Sequence, residues 1–427
     1  MFQPLKFKVS HTKYFSHKKS VITISIISFC ICFLTMCVNN TNNKEAVQKQ
    51  ISYSQFAGSQ VCAGCHKDVY EKHLHTEHHL TSAPVTSSNI LGSFDSGKNV
   101  FQFNPAVNVT MEKTDSGFYQ VEYNNGIEIK KEKFDIVIGS GRKGQSYLSW
   151  TADRLVQLPI TYFTPASQWS NSPGYLPHQP MFNRPITSRC LECHSTYFEK
   201  ISDTTQRLEQ FDHNKIIYAV DCERCHGPAA EHVKFQSQNP AVRTAKYIVN
   251  PGKLSRERLL DLCTLCHGGA LTKTKPSFSF QAGDTLSNYF SLQAAMLSAD
   301  NIDVHGNQFG LMALSKCFQM SNLTCINCHN VHEKEDGKIE TFSQRCISCH
   351  NEAHGKICKL TNTLGPSISQ NCIDCHMPKQ VSHAVAVYLQ GSETPTSALM
   401  RTHYIKIYPD ETKKFLEHLK KLSSKTK

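Results

Sequence analysis

One short pattern recurs seven times along the chain: two cysteines two residues apart, followed at once by a histidine. Neither a zinc site nor a redox dithiol requires a histidine directly after the second cysteine. This spacing is the attachment signature of c-type haem, in which both thiols form thioethers and the histidine binds iron. The sequence therefore predicts seven covalently attached c-type haems. The motifs, numbered 1 to 7 in chain order, are Cys62/Cys65/His66, Cys190/Cys193/His194, Cys222/Cys225/His226, Cys263/Cys266/His267, Cys325/Cys328/His329, Cys346/Cys349/His350 and Cys372/Cys375/His376.

The motifs use 14 of the 19 cysteines, so a disulfide framework is not expected. Cys317 is interpreted as a buried, inert thiol, with a role as a ligand or substrate thiol as the alternative. Hydrophobic residues make up only 39% of the chain, which indicates a modest aliphatic core. We expect the porphyrins to supply much of the remaining buried apolar surface.

The formal net charge of +11 suggests an anionic partner at first sight. Five of the lysines precede Cys37, however, and no acidic residue lies there to balance them. Each haem also adds about two propionate charges. The basic character therefore belongs to the bare polypeptide, and no nucleic-acid partner is predicted.

Residues 1–38 are predicted to be a signal or membrane-anchor segment, because an uncharged stretch, 21–38, follows Lys19. This stretch is just long enough to cross a membrane. Residues 34–37 resemble a bacterial lipobox, although Met36 stands where a small residue is usual. Lipidation of Cys37 and an uncleaved anchor both stay open. Either one predicts an exported protein of the periplasm or cell envelope, attached to the membrane.

The predicted fold is that of a multihaem cytochrome c: mainly short α-helices and irregular loops packed around seven haems. A small antiparallel β subdomain is expected between haems 1 and 2, with a hairpin turn at Asn125-Gly126. The GxGxxG pattern at 139–144 is interpreted as a loop, because strand-like residues follow it where a dinucleotide site needs a helix.

The predicted regions are a polar tether at 39–54, a first haem-binding segment at 55–96, a β-rich insertion at 97–165, a six-haem core at 166–408 and a basic C-terminal helix at 409–427.

Each haem iron has a second axial position. A second histidine there favours electron transfer, whereas an open position admits a substrate. Histidines that closely follow a motif are the first candidates, since each is expected to reach a neighbouring haem. Within the histidine-rich run 73–79, His79 is the preferred ligand and His78 the next. The candidate distal ligands are His79, His232, His305, His332, His354, His383 and His403.

Residues 190–194, 222–228 leading to His232, 315–318 ahead of motif 5, and 372–378 carry a resemblance to a known family. They resemble exported multihaem cytochromes c related to the tetrahaem cytochrome of ammonia oxidisers and to hydroxylamine oxidoreductase and octahaem reductases. The resemblance covers residues 61–408 and implies close haem pairs with mostly bis-histidine ligation. It supports six of the candidates: His79, His232, His305, His332, His383 and His403. The lysine-ligated CxxCK motif of pentahaem nitrite reductases is absent.

Two functions are expected from these features. The first is electron transfer between respiratory redox partners outside the cytoplasmic membrane, with a quinol oxidase or other cytochromes as partners. The second is reduction or oxidation of nitrite, hydroxylamine or tetrathionate at one five-coordinate haem. The sequence identifies no catalytic residue, leaves the choice between carrier and enzyme open, and does not indicate an oligomeric state.

Overall fold

The computed structural model describes residues 51–201, 208–291, 299–335, 337–354 and 357–425. The predicted anchor, the Cys37 lipidation site and nearly all of the tether lie outside these ranges. Among the described residues, no helix combines the length and apolarity needed to cross a membrane.

Four antiparallel strands form the first sheet. Asn125 and Gly126 connect its third and fourth strands with φ of 49° and 79°, at the place where the sequence predicted a hairpin turn. Two consecutive positive φ angles match the twist of a tight hairpin, and glycine accepts such an angle without strain. The strands are β2 (Val100–Gln102), β3 (Val107–Thr114), β4 (Gly117–Asn124) and β5 (Ile127–Lys133).

A second antiparallel sheet has seven strands and extends beyond the predicted limits of 97 and 165 on both sides. The GxGxxG segment forms the connection between its second and third strands, as a loop. Gly139 has a φ of 103°, and a Cβ there would lie 2.8 Å from the carbonyl oxygen of Gly144. The strands are β1 (Ser82–Pro84), β6 (Ile136–Ile138), β7 (Gly144–Thr151), β8 (Arg154–Gln157), β9 (Ile160–Phe163), β10 (Gln168–Asn171) and β11 (Arg184–Pro185).

The remaining regular structure of the described residues consists of three two-stranded antiparallel ribbons and a series of short helices. The ribbons are β12 (Ser195–Lys200) with β13 (Phe211–Tyr218), β14 (Thr272–Lys273) with β15 (Phe290–Ser291), and β16 (Lys379–Val387) with β17 (Thr396–Arg401). The α-helices are α1 (Ser59–Ala63), α2 (Lys67–His73), α3 (Ser188–His194), α4 (Cys222–His226), α5 (Ala230–Gln238), α6 (Arg256–His267), α7 (Gln308–Ala313), α8 (Lys316–Gln319), α9 (Ile339–Ile347), α10 (Thr361–Leu364), α11 (Ile373–His376) and α12 (Pro409–Lys425). Single 3₁₀ turns are Tyr53–Gln55, His79–Thr81, Thr164–Ala166, Pro251–Lys253, Leu286–Asn288, Ala299–Asn301, Cys325–Asn327, Glu352–His354 and Pro366–Gln370.

The C-terminal helix α12 begins where its sequence predicted. Pro409 occupies the first turn, in which its missing N–H has no partner to lose. Asp410 and Glu411 follow and complement the positive end of the helix dipole.

The apolar core lies mainly between and beside the two larger sheets. Phe134 stacks on Tyr147 with ring centres 4.4 Å apart. Trp169 packs against both rings, and its indole N–H donates to the carbonyl oxygen of Ser93 at 2.8 Å. A second cluster joins Leu148 of β7 to Leu191 of α3. The seven-stranded sheet therefore packs against α3, the helix that carries motif 2.

Candidate haem-binding sites

Each CxxCH motif includes a turn of helix, which brings its two cysteines to one face. Motifs 2, 3 and 4 lie in α3, α4 and α6. In the other four motifs the histidine N–H donates to the carbonyl oxygen of the first cysteine. These distances are 2.9 Å for His66, His329 and His350 and 3.1 Å for His376. In a haem attached through both thiols of such a turn, the iron would be within reach of the histidine that follows.

Three motif histidines face a second histidine from elsewhere in the chain. A metal bound to two trans imidazoles, about 2 Å from each nitrogen, holds the ring centres about 6 Å apart. The three pairs have this spacing. They are His226 and His332 with ring centres 6.1 Å apart, His329 and His403 at 6.2 Å, and His267 and His78 at 6.1 Å.

The members of these pairs are kept neutral by their surroundings. Burial lowers the pKa of His78 to about 4, and the nearby His267 lowers it further. Burial also lowers the pKa of His403 to about 4. The pKa of His226, of His267 and of His332 is lowered as well, again mainly by burial. A neutral imidazole retains the lone pair that a metal requires.

Hydrogen bonds to oxygen atoms set the tautomer of several motif histidines. His226 Nδ1 lies 2.9 Å from the carbonyl oxygen of Val249, and His376 Nδ1 lies 2.9 Å from that of Lys406. Because a carbonyl oxygen only accepts, Nδ1 must carry the hydrogen in both rings. Nε2 is then left with its lone pair, as is usual for histidines that bind metal.

His305 interacts electrostatically with His194 of motif 2 and with His267 of motif 4. Burial lowers the pKa of His194 to about 4, and the neighbouring His305 lowers it further. The pKa of His305 is itself lowered by burial, so this pair is also neutral.

The other predicted distal histidines do not pair with a motif histidine in the described part of the chain. His232 Nδ1 is 2.8 Å from the carbonyl oxygen of Lys246, and His354 Nδ1 is 2.9 Å from Asn351 Oδ1. His383 is exposed. Within the described part of the chain, these three and His79 make no ring contact with a motif histidine, so their assignment as axial ligands stays a prediction.

The two candidates in the histidine-rich run have different surroundings. His78, the second choice, faces His267, whereas the preferred His79 points towards Asp221, with 3.7 Å between Nδ1 and Oδ2. Adjacent residues at the start of a 3₁₀ turn direct their side chains about 120° apart, so only one of them can face a given motif. His73, which was not selected, also contacts Asp221.

Cysteines of different motifs lie side by side. Among the described residues, four pairs of thiols from different motifs interact closely enough to shift each other's pKa, so haems attached to them would be neighbours. The pairs are Cys62 with Cys222, Cys193 with Cys266, Cys263 with Cys325, and Cys346 with Cys372.

Three of the predicted haem-attaching cysteines are exposed on the polypeptide: Cys65 of motif 1, Cys190 of motif 2 and Cys349 of motif 6. Cys65 and Cys349 follow the last residues of α1 and α9. The first cysteines of the same motifs, Cys62 and Cys346, lie within those helices and contact a thiol of another motif. The attachment of haem at Cys65, Cys190 and Cys349 stays a prediction.

Two arginines within or beside the motifs donate hydrogen bonds to backbone carbonyl oxygens of another motif. Arg224, inside motif 3, donates from Nη2 to the carbonyl oxygen of Glu192 in motif 2 at 2.8 Å. Arg345, directly before motif 6, donates from Nη1 to the carbonyl oxygen of Cys328 in motif 5 at 2.6 Å. These bonds fix the spacing of the motifs independently of the cofactor.

Similarities to known proteins agree with this arrangement. The family described as cytochrome c554 and c-prime matches residues 177–227, which contain motifs 2 and 3. A relative, the multihaem cytochrome MtrA of Shewanella baltica strain OS185, is 26% identical over 198 residues, or 45% of this chain and 53% of that protein. The chain thus spans about half the length of the curated relative it matches. These matches indicate a multihaem cytochrome c.

The fold of this chain also has a counterpart among solved structures. The crystal structure of the outer cell wall cytochrome OcwA superposes with a TM-score of 0.51 at 15% identity. The match covers 84% of this chain and 81% of that one. A multihaem cytochrome fold and covalently bound c-type haem are therefore supported. The specific relationship to the cytochromes of ammonia oxidisers stays a prediction.

Proposed function

We propose that this cytochrome is an electron carrier with seven c-type haems, most of them ligated by two histidines. Fourteen cysteines would hold the macrocycles, and His66, His194, His226, His267, His329, His350 and His376 would bind the irons on one side. The spacing of about 6 Å in three histidine pairs carries the proposal, since it fits a six-coordinate iron with no place for a substrate.

The distal ligands follow from the same geometry. His332 would complete the iron of motif 3, His78 that of motif 4, and His403 that of motif 5. His305 is proposed for motif 2, because its electrostatic effect lowers the pKa of His194. The candidates for motifs 1, 6 and 7 are His232, His354 and His383.

The contacts between motifs support a continuous path for electrons. Shared thiol contacts join motif 1 to 3, 2 to 4, 4 to 5, and 6 to 7. The arginine bonds join motif 3 to 2 and motif 5 to 6. All seven motifs therefore belong to one connected series. Removing any one haem would interrupt or shorten this series.

We infer that the protein works outside the cytoplasmic membrane, in the periplasm or cell envelope. The predicted signal or anchor in residues 1–38 supports export, and Cys37 is a candidate for lipidation. Its partners would be redox proteins that deliver or accept single electrons, such as a quinol oxidase or other cytochromes. The resemblance of the chain to the cytochromes MtrA and OcwA supports this role.

Low-temperature electron paramagnetic resonance of the fully oxidised holoprotein tests the proposal. We expect low-spin ferric signals throughout, unchanged by nitrite or hydroxylamine. A high-spin component of about one iron in seven that shifts with either ligand would refute the carrier function. It would favour instead a reductase or oxidase of a small nitrogen or sulfur compound. The haem count is tested separately, because intact-mass measurement must find seven haems on one chain.

A further inference from the structure

Two histidines and one carboxylate converge at a place that the haem pairs do not use. His73 ends α2, His79 begins the following 3₁₀ turn, and Asp221 lies directly before motif 3. One ligand atom from each lies within 4.8 Å of the other two. His73 is 7% exposed and Asp221 6% exposed, so both are shielded from bulk water, whereas the His79 side chain is 27% exposed.

The hydrogen bonds of Thr76 determine which nitrogen of His73 carries hydrogen. Thr76 Oγ1 donates its only hydrogen to the carbonyl oxygen of His73, at 2.7 Å, and accepts the backbone N–H of His79 at 3.2 Å. His73 Nδ1 lies 3.4 Å from the same Oγ1 and must be the donor in that contact. In the neutral ring, His73 Nε2 then presents a lone pair.

The lone pair on His73 Nε2 is directed at the lone pairs of the Asp221 carboxylate. His73 Nε2 lies 3.2 Å from Asp221 Oδ1, yet it is buried and has no partner with hydrogen-bonding geometry. His79 Nδ1 is likewise buried without a hydrogen-bond partner, 3.7 Å from Asp221 Oδ2. Lone pairs directed at one another in a buried site repel unless a cation lies between them.

The spacing suits a metal ion. Metal–ligand bonds of 2.0 to 2.2 Å in tetrahedral geometry place two ligand atoms about 3.4 Å apart. The distances of 3.2 Å from His73 to Asp221 Oδ1 and 3.7 Å from His79 to Asp221 Oδ2 lie on either side of this value, and one ligand atom of each residue lies within 4.8 Å of the other two. The bond from His73 Nδ1 to Thr76 also matches the outer support that metal-binding histidines usually have.

We propose that His73, His79 and Asp221 bind one divalent transition-metal ion, distinct from the haem irons. Two imidazoles and a carboxylate favour zinc or a similar borderline cation over calcium or magnesium. His79 and Asp221 also line a cavity of about 870 Å³. Because Asp221 accepts the N–H of Cys222 at 2.8 Å, the ion would lie beside the thioether edge of motif 3.

Zinc is the probe for the test, since haem iron does not obscure it. The holoprotein is treated with a chelator, loaded with zinc, desalted, and analysed for zinc and iron by mass spectrometry. We expect one tightly bound zinc per chain. Substitution His79→Gln or Asp221→Asn should weaken zinc binding at least about 100-fold, since it removes a ligand rather than an outer partner. Asparagine can still cap α4, so the second variant should retain its fold.

His213→Gln is the matched control. His213 Nε2 lies 3.5 Å from Asp153 Oδ1 at an exposed site, where the described residues supply no third metal ligand. Its loss should leave zinc binding unchanged. A second readout is the reduction potential of the haems, because bound zinc should raise the potential of the haem on motif 3 in the wild type but not in His79→Gln. Failure of the wild type to retain zinc, or equal retention by His79→Gln, would overturn the proposal and indicate a proton between His73 and Asp221.

Discussion

Removal of His403 should open the iron of motif 5. The ring centre of His403 lies 6.2 Å from that of His329, and its Nδ1 is buried. The substitution His403→Ala leaves this iron with His329 alone, so one of the seven proposed haems changes from low spin to high spin. About one seventh of the ferric signal should therefore become high-spin. The reduced variant should also bind about one carbon monoxide per chain, whereas the wild type should bind none.

Electron paramagnetic resonance and carbon monoxide titration measure the two effects. Added imidazole should fill the vacated position in His403→Ala and restore the low-spin signal, which a merely misfolded variant would not do. His178→Ala is the control, because the His178 side chain is 65% exposed and its ion-pair partner is the exposed Glu393. If His403→Ala keeps its full haem content, stays entirely low-spin and binds no carbon monoxide, the inference from ring spacing to axial ligation is wrong.

Three further predictions concern stability. The pKa values of about 4 for His78, His194 and His403, lowered mainly by burial, predict that the free energy of unfolding decreases as pH falls from about 6.5 towards 4. The unfolded chain alone takes up these protons, at a cost of about 1 to 3 kcal/mol per histidine, and urea midpoints near pH 7.5 and 5 measure the loss. Glu223→Gln should cost about 2 kcal/mol in urea unfolding, because the buried carboxylate accepts the N–H groups of Ala57, Gly58 and Ala229 at 2.8, 2.9 and 2.8 Å. Gly126→Ala should cost about 1 kcal/mol by the same measurement, since alanine is strained at a φ of 79°.

Each of these has an outcome that would contradict it. A urea midpoint that is the same at both pH values would show that the histidines bind protons equally in the folded and unfolded chain. Glu231→Gln, at an exposed position of α5, is the control for Glu223→Gln, and equal losses in the two would exclude the backbone bonds as the cause. A Gly126→Ala variant as stable as the wild type would mean that the turn adopts another conformation.

The cofactor could be predicted from the sequence because covalent haem attachment is local chemistry. Two thiols and a histidine within five residues suffice, and one helical turn arranges them. The hairpin turn at Asn125-Gly126 and the start of α12 at Pro409 were predictable for the same reason. Each depends on the conformational preferences of a few consecutive residues.

The second ligands were harder to predict because each comes from a distant part of the chain. His403 faces His329, and His78 faces His267, across separations that no local pattern encodes. The choice between His78 and His79 depends on the direction of one 3₁₀ turn, so adjacent histidines with the same chemistry have different surroundings.

The sequence by itself thus determined which residues can attach haem, since bond formation depends on residue type and spacing. Only the tertiary structure decided which histidines face one another, which motifs are neighbours, and that His73 and His79 meet at Asp221. The physical reason is that axial ligation and metal binding depend on distances of a few ångströms between segments. Those distances are set by the packing of the β sheets and by hydrogen bonds between motifs, such as those of Arg224 and Arg345.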